Sequence, residues 1–263
     1  MRQYDLKSSE TKVIPYVFDF LDLLDKLDIK ATFFVLGEIA KENSDILRDI
    51  VDRGHSIGCH GLDHRLLYEK DNETFFLQIT RAKEIIKKAC GSEISGYRAS
   101  CFSMERDKLD IVQKSGFLYD SSKITFSQHP LYRNLDLAGF EKIDDLICKN
   151  GEFLEYEIPT VKLFKYDIPI SGGGYLRLFP LWLLKILLKV YQKHNDNFLI
   201  YVHPFELCNI KLPLPKGLGF IKRFRCEVGR KRNLEKLKKL MIYLKKQGAE
   251  FRSLDMDCKL RCG

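Results

Sequence analysis

The chain has 263 residues, of which 45% are hydrophobic and 30% charged, and its formal net charge is +8. This composition is typical of a globular protein and excludes a disordered one, and the length suits one α/β barrel or two smaller domains. The longest apolar stretch, LFPLWLLKILLKVY, is too short and too interrupted by lysine to span a bilayer, so no transmembrane segment is predicted. The basic residues cluster near the C-terminus without a nucleic-acid-binding motif, so nucleic acid is not an expected partner.

Helices and short apolar strands alternate along the chain. Apolar residues at helical spacing predict a helix from Ile14 to Lys26, and the apolar run KATFFVLG predicts a buried strand after it. Ser44 is expected to cap the helix SDILRDIVDRG, which Gly54 ends, and HSIGCH is the next strand. The later predicted elements are the helix ETFFLQITRAKEIIKKACG, a strand leading to GYRAS, a helix ending at Gly116, the strand FLYDS, the helix PLWLLKILLKVYQK, the strand NFLIYVH, the helix NLEKLKKLMIYLKKQG and the strand EFRSL.

Such alternation predicts parallel β/α units, and one continuous series favours a single barrel over two domains. We therefore expect one domain over residues 1–263, with a core at about 12–207 and a basic C-terminal extension, 208–263, packed on it. The basic tail is more typical of a solvated helix face than of a polymer-binding strip.

Polar residues of catalytic type follow three of the predicted strands. His60 and His64 come after HSIGC, Arg98 after SGY, and His203 after FLIYV. In β/α barrels the catalytic residues collect where strands end, and imidazole is a common zinc ligand. A histidine pair at this spacing is also compatible with two solvated residues at a turn, and a histidine such as His203 with a satisfied core residue.

The other three histidines have ordinary interpretations. His55 lies at the start of a strand and is expected to be structural, while His129 and His194 lie in loop-like contexts.

Five sequence blocks resemble one known family. They are KATFFVLGEIAKENSDILRDIVDRGHSIGCHGLDHRLLY, GYRASCFSM, FLYDSS, SGGGYLRLFPLWLL and YVHPFEL, and they resemble the NodB-homology polysaccharide deacetylases, above all the branch tied to bacterial exopolysaccharide synthesis. The resemblance extends over about residues 12–207. It implies an α/β fold, a distorted (β/α) barrel, that removes N-acetyl groups from amino-sugar polysaccharides or oligosaccharides with a divalent metal, zinc by expectation.

The resemblance also implies roles for particular residues. His60 and His64 match the metal ligands, Arg98 the arginine that orients a catalytic carboxylate, and His203 the histidine that protonates the departing amine. The expected substrate-binding residues are Asp120, Tyr97, Gly173 and Tyr175.

The sequence departs from the family pattern at its beginning. The family's first strand ends in an acidic pair, one aspartate being the general base and the next the third metal ligand, and no such pair precedes KATFF. Asp5 precedes KATFF by a number of residues compatible with this ligand position, but too few apolar residues precede Asp5 for it to end a buried strand. The aspartates Asp19, Asp22 and Asp25 recur every three residues, as on the polar side of an amphipathic helix.

The first strand is therefore expected to be missing and the activity to be impaired. General acid–base catalysis is typically worth roughly 10²–10⁴-fold, so the chain is expected to be nearly inactive and to bind metal weakly. The alternative is a non-catalytic carbohydrate-binding or assembly protein derived from the same fold.

Cysteine usage and the N-terminal residues predict the compartment. The eight cysteines form no CxxC pair, so free thiols in a reducing compartment are expected, and MRQYDLKSSETK lacks the apolar region of a signal peptide. A cytoplasmic location is the prediction.

Two further local features are predicted. Cys59 is expected to be a small buried residue, and the glycines 172–174 are expected where two backbone segments approach closely.

Overall fold

The computed structural model describes residues 6–126, 132–210, 214, 217 and 219–262. The chain divides into two compact units, which we name the sheet unit (residues 30–160 and 251–263) and the helical unit (residues 1–29 and 161–250). Whether they form the single domain predicted from the sequence stays a prediction.

The helices and strands have the following bounds. In the described part of the chain the helices are α1 (Leu6–Lys26), α2 (Gly37–Glu42), α3 (Ser44–Asp52), α4 (Asn72–Cys90), α5 (Arg106–Lys114), α6 (Gly173–Leu178), α7 (Leu181–Tyr191), α8 (Phe220–Glu227), α9 (Asn233–Lys246) and α10 (Leu254–Cys262). The strands there are β1 (Thr32–Val35), β2 (Ser56–Cys59), β3 (Gly96–Tyr97), β4 (Tyr119–Asp120), β5 (Glu141–Asp144), β6 (Ile147–Asn150), β7 (Phe153–Tyr156), β8 (Thr160–Leu163) and β9 (Tyr166–Pro169).

The sheet unit contains one sheet in the order β1-β2-β3-β4-β7-β6-β5. The neighbouring pairs β1–β2, β2–β3, β3–β4 and β4–β7 run parallel, whereas the pairs β7–β6 and β6–β5 run antiparallel. The α/β class and the parallel core predicted from the sequence are therefore confirmed, and the distortion takes the form of a sheet that does not close into a barrel within the described residues.

Local sequence explains the helix α4, which packs on this sheet. Its cap Asp71 accepts hydrogen bonds from the amide and the hydroxyl of Thr74, and Gly91 ends the helix at φ +73°. Residues at helical spacing form its buried face, namely Phe75, Ile79, Ala82, Ile86 and Ala89. The predicted helix is confirmed, and its cap lies two residues before Glu73, where the predicted run ETFF begins.

Close approach of backbone and side chain fixes the glycine in β3. A Cβ atom built on Gly96 would lie 2.0 Å from the ring of Tyr119 in the neighbouring strand. Only glycine therefore allows this aromatic ring to lie across β3.

Three predicted local features are wrong. The run NFLIYVH forms no strand, because its backbone makes only an isolated bridge between Tyr201 and Gly172. The run EFRSL also forms no strand: the Leu254 amide donates to the Thr32 hydroxyl and α10 begins at that residue. Ser44 makes no capping bond, and it lies within α3.

The helical unit packs α7 against α9 and contains the two-stranded sheet β8-β9. The ammonium group of Lys236 in α9 donates to the carbonyls of Leu176, Arg177 and Phe179, which closes the C-terminal end of α6. Within the described residues, none of the helices combines the length and the hydropathy that a membrane span requires.

Candidate active site

The site begins with a row of residues that cross the sheet side by side. Val35 pairs with Cys59, Cys59 with Tyr97, Tyr97 with Asp120, and Asp120 with Glu155. Because β1 to β4 and β7 are parallel, the residues that follow this row leave the sheet at one edge, where α/β proteins place their functional groups.

His60 and Arg98 leave the sheet at this edge as neighbours. The His60 amide donates to the Val35 carbonyl, and the Arg98 amide donates to the Cys59 carbonyl. The side chain of His60 is fixed in turn, because its Nδ1 lies 2.7 Å from the Arg98 carbonyl oxygen. A proton on Nδ1 satisfies that carbonyl and leaves the lone pair on Nε2, the arrangement usual for metal-binding histidines.

His64 lies beside His60, with ring centroids 5.3 Å apart and ring planes 66° apart. Two imidazoles bound to one tetrahedral ion through metal–nitrogen bonds of about 2.0–2.1 Å have their centroids about 5 Å apart. The pair therefore fits two ligand positions of a metal site. That His60 and His64 share one ion stays a prediction.

A third ligand is not found in the described residues. No group of three or more histidine, cysteine, aspartate or glutamate residues there could hold a metal ion. Asp5, the alternative third ligand, lies outside the described residues, as does His129.

Asp63 stabilises the turn between the two histidines. Its Oδ1 accepts from the Lys70 ammonium at 2.6 Å and from the Arg65 amide at 3.2 Å, and Lys70 also donates to Gln78 at 2.5 Å. Partial burial raises the pKa of the Asp63 carboxyl, but Lys70 and Arg65 outweigh this effect and the net pKa is lowered. The ionised carboxylate of Asp63 therefore stabilises the turn, a role that was not predicted from the sequence.

The Arg98 side chain is anchored at the strand ends. Its Nε donates to the Ser121 carbonyl at 2.9 Å, its Nη2 donates to the Ser121 hydroxyl at 2.7 Å, and the guanidinium lies over the Phe34 ring. Its predicted role of orienting a catalytic carboxylate stays a prediction.

Asp120 and Glu155 form a buried carboxyl pair behind this edge. Glu155 Oε1 accepts from the Ser122 and Lys123 amides, and Asp120 Oδ1 accepts from the Ser122 hydroxyl. Burial raises the pKa of Asp120 to about 6, against the lowering effects of Glu155, Ser122 and Arg98. Burial, followed by the charge of Asp120, raises the pKa of Glu155 well above its usual value, so the pair holds a proton.

Two of the predicted substrate-binding residues are buried. Asp120 and Tyr97 both have a relative exposure of 0%. Both side chains are therefore enclosed in this structure, and binding of substrate by them stays a prediction. Burial, then the charges of Cys59, Asp120 and Asp63, raises the pKa of Tyr97 well above its usual value.

His203 belongs to the helical unit and is held by a buried carboxylate. Its side chain is 44% exposed, whereas Glu206 is 1% exposed. Glu206 Oε2 accepts from the His203 amide at 2.9 Å and faces His203 Nδ1 at 3.1 Å, while Oε1 accepts from Arg177 Nε at 2.7 Å. Burial raises the pKa of Glu206, but His203 and Arg177 together bring it below its usual value.

Glu206 and Arg177 were not predicted from the sequence. The signal for the first was present, because HPFE places a carboxylate three residues after His203, and here the pair forms a reciprocal cap. The second is 29 residues away along the chain, and no local pattern links it to Glu206.

The glycine segment approaches Tyr201 closely, as predicted. A Cβ atom on Gly172 would lie 2.3 Å from the Tyr201 carbonyl oxygen, and one on Gly173 would lie 2.9 Å from its hydroxyl. The Tyr201 ring lies 5.9 Å from the His203 ring, and the partly buried Tyr175 packs on Phe179. Binding of substrate by Gly173 and Tyr175 stays a prediction.

Several ordinary interpretations are confirmed. His55 is buried and its Nδ1 accepts from the Ala31 amide, so it is structural. The aspartates at 19, 22 and 25 are exposed on α1, as expected of a solvated face. Cys59 is fully buried, and burial raises the pKa of its thiol to about 12.

Known proteins match parts of this chain. Residues 14–119 match the family model of the polysaccharide deacetylases, and residues 127–257 match a domain of unknown function, DUF3473. A peptidoglycan deacetylase of Helicobacter pylori is 30% identical over 71% of this chain and 60% of its own length. A chitooligosaccharide deacetylase of Azorhizobium caulinodans is 32% identical over 36% of this chain and 46% of its own length. The chain thus spans less than two thirds of either relative.

Solved structures agree on the fold. A family 4 acetyl xylan esterase from Clostridium thermocellum, in complex with a cobalt ion, is matched with a TM-score of 0.56 at 17% identity over 93% of this chain and 84% of that one. A CE4-family pseudoenzyme from Bacillus anthracis is matched with a TM-score of 0.56 at 16% identity, over 92% and 60% of the two chains. Over residues 14–119 the chain therefore matches the model of the polysaccharide deacetylase family, and the resemblance found in the sequence is confirmed.

Proposed function

We propose that the protein is a hydrolase that removes N-acetyl groups from an amino-sugar polysaccharide or oligosaccharide with the help of a divalent metal. The observation that carries this proposal is the histidine pair at the end of β2, with His60 oriented by the Arg98 carbonyl. The relatives named for peptidoglycan and chitooligosaccharide deacetylation support an acetylated glycan as the substrate. Nitrogen ligands favour zinc among the common divalent ions, and we retain the exopolysaccharide connection and the cytoplasmic location as parts of the proposal.

The proposed chemistry assigns one task to each group. His60 and His64 would hold the ion, which when bound polarises an acetyl carbonyl and lowers the pKa of a bound water. The Nδ1 proton of His203 is directed at Glu206, so its outer nitrogen is left to exchange a proton with solvent or with the departing amine. Glu206 and Arg177 keep that ring in one orientation.

The proposal also holds that catalysis by this chain is impaired. The described residues supply two nitrogen ligands and no acidic pair at the end of a preceding strand. The same observation favours the second candidate, a non-catalytic carbohydrate-binding or assembly protein that retains the fold. The existence of a CE4-family pseudoenzyme with this fold makes that outcome chemically reasonable.

The test combines metal affinity with acetate release. Residues 1–263 are titrated with Zn²⁺ and Co²⁺ and then assayed on N-acetylated chitooligosaccharides and on peptidoglycan. His64→Ala is expected to lower the metal affinity at least tenfold, because it removes one of two ligands. His194→Ala is the matched control, because this exposed histidine lies in a turn of the helical unit.

The outcomes separate the two candidates. Metal-dependent acetate release that His64→Ala abolishes supports the hydrolase. Glycan binding without acetate release, with or without metal, supports the binding protein. Equal metal affinity of the His64→Ala and His194→Ala variants would contradict the proposed metal site.

A further inference from the structure

The helix α7 exposes an apolar stripe on its outer face. Trp182, Ile186 and Val190 recur every four residues and are 64%, 51% and 37% exposed. The opposite face is buried, through Leu184, Leu187, Leu188 and Tyr191. A helix that is apolar on both faces is normally buried on both, so the outer stripe of α7 requires a partner.

Basic side chains border this stripe. Lys189 and Lys193 are exposed and lie three residues after Ile186 and Val190, respectively, so they flank the stripe along one side. The ammonium group of Lys185, by contrast, lies over the Tyr243 ring of α9. Between Asp167 and Asp196 the sequence contains no acidic residue. The outer face of α7 therefore combines an apolar stripe with positive charge toward its C-terminal end.

The same combination occurs elsewhere in the helical unit. In α8, Phe220 and Phe224 are exposed one turn apart, with the exposed Arg223 next to them. At the turn between β8 and β9, Phe164 is 92% exposed and is followed by the exposed Lys165. An exposed aromatic ring beside a cation is thus a repeated feature of this unit.

We propose that the outer face of α7 binds the surface of an anionic phospholipid bilayer, with Trp182 at the boundary between headgroups and acyl chains. Helices that lie in this boundary combine tryptophan and branched aliphatic residues on one side with lysine on the other. Two copies of this face would bring their lysines together, so the charge favours a lipid surface over a second copy of the chain. A soluble anionic polymer would satisfy the lysines but would leave the stripe in water.

This inference is independent of the deacetylase proposal, because none of the residues assigned to metal or glycan lies on this face. It adds a surface that would hold the protein at a membrane without a spanning helix. Each lysine near an anionic surface adds attraction that salt screens, so the binding is expected to weaken with ionic strength.

The single tryptophan of the chain makes the test direct. The emission of Trp182 is recorded in the full chain while vesicles of phosphatidylcholine, or of phosphatidylcholine with phosphatidylglycerol, are added. A blue shift, together with flotation of the protein with the anionic vesicles only, is the expected result. The double substitution Ile186→Ser and Val190→Ser is expected to weaken the partition at least tenfold by removing buried apolar area.

Charge variants distinguish lipid binding by the outer face of α7 from nonspecific adsorption to vesicles. Lys189→Glu with Lys193→Glu is expected to abolish flotation with anionic vesicles. Lys239→Glu with Lys246→Glu, the same charge change at exposed positions of α9, is expected to reduce flotation much less. The proposal would be overturned if neither vesicle shifts the emission of Trp182, or if the two charge variants lose flotation equally. It would also be overturned by a shift that appears without vesicles as the protein concentration rises, and that result would identify self-association instead.

Discussion

Replacing Glu155 with glutamine is expected to change how the stability of the protein depends on pH. In the native protein Asp120 Oδ2 and Glu155 Oε2 find no donor among the described residues, so a proton shared by the two carboxyls is needed to satisfy them. Glutamine keeps a carbonyl that accepts from the Ser122 and Lys123 amides, and its NH₂ group supplies the donor that Asp120 lacks.

The magnitude follows from the pKa of Asp120, which burial raises from 3.8 to about 6. A raised carboxyl pKa means that the folded state keeps a proton which the unfolded state loses. Stability from this group is therefore full below about pH 4 and is lost as the pH rises through about 6. At about 1.4 kcal/mol per pKa unit the loss is about 3 kcal/mol, and the raised pKa of Glu155 acts in the same direction.

Urea unfolding followed by circular dichroism at pH 4.5 and pH 7.5 tests this reasoning. The free energy of unfolding of the Glu155→Gln variant should be close to that of the native protein at pH 4.5 and up to about 3 kcal/mol higher at pH 7.5. Glu141→Gln, which removes an exposed carboxylate from the same sheet, should behave like the native protein at both pH values. A Glu155→Gln effect of equal size at the two pH values would refute the shared proton.

Three further outcomes are expected. Glu206→Gln should destabilise the protein by about 3 kcal/mol or more, because the buried Arg177 loses its charged partner. This loss should shrink as the pH falls through the lowered pKa of Glu206, because the native carboxyl then also becomes protonated. Lys70→Met should weaken Co²⁺ binding about 10–100-fold in a titration, because the turn held by Asp63 loses its anchor. Gly96→Ala should prevent folding or lower the melting temperature strongly, because the added carbon would lie inside a neighbouring tyrosine ring.

Matched controls exist for each of these variants. Glu227→Gln, Lys88→Met and Gly219→Ala make the same chemical changes at positions where the structure shows an exposed side chain or, for Gly219, no atom within 4 Å of the added carbon. If a control variant and the variant that it is matched to show effects of the same size, the corresponding explanation is contradicted.

Local sequence determined the elements that carry the candidate site. The helix α4 follows from its apolar spacing, its aspartate cap and its terminal glycine, and β1 and β2 follow from short apolar runs. The neighbouring positions of His60 and Arg98 were predictable because parallel strands place their carboxyl ends at one edge. Each of these features depends on residues that are close together in the sequence, so each can be predicted without knowledge of the tertiary structure.

Only the tertiary structure decided which distant groups meet. NFLIYVH has the composition of a buried strand but finds no partner strand along its length, and apolar runs of this size do not by themselves specify pairing. The antiparallel strands β5 and β6 extend the parallel sheet through β7, which brings Glu155 against Asp120. The contact between Glu206 and Arg177 likewise depends on packing between segments far apart in sequence. Burial and the approach of charges set the ionisation of these groups, and both are properties of the folded chain rather than of any local pattern.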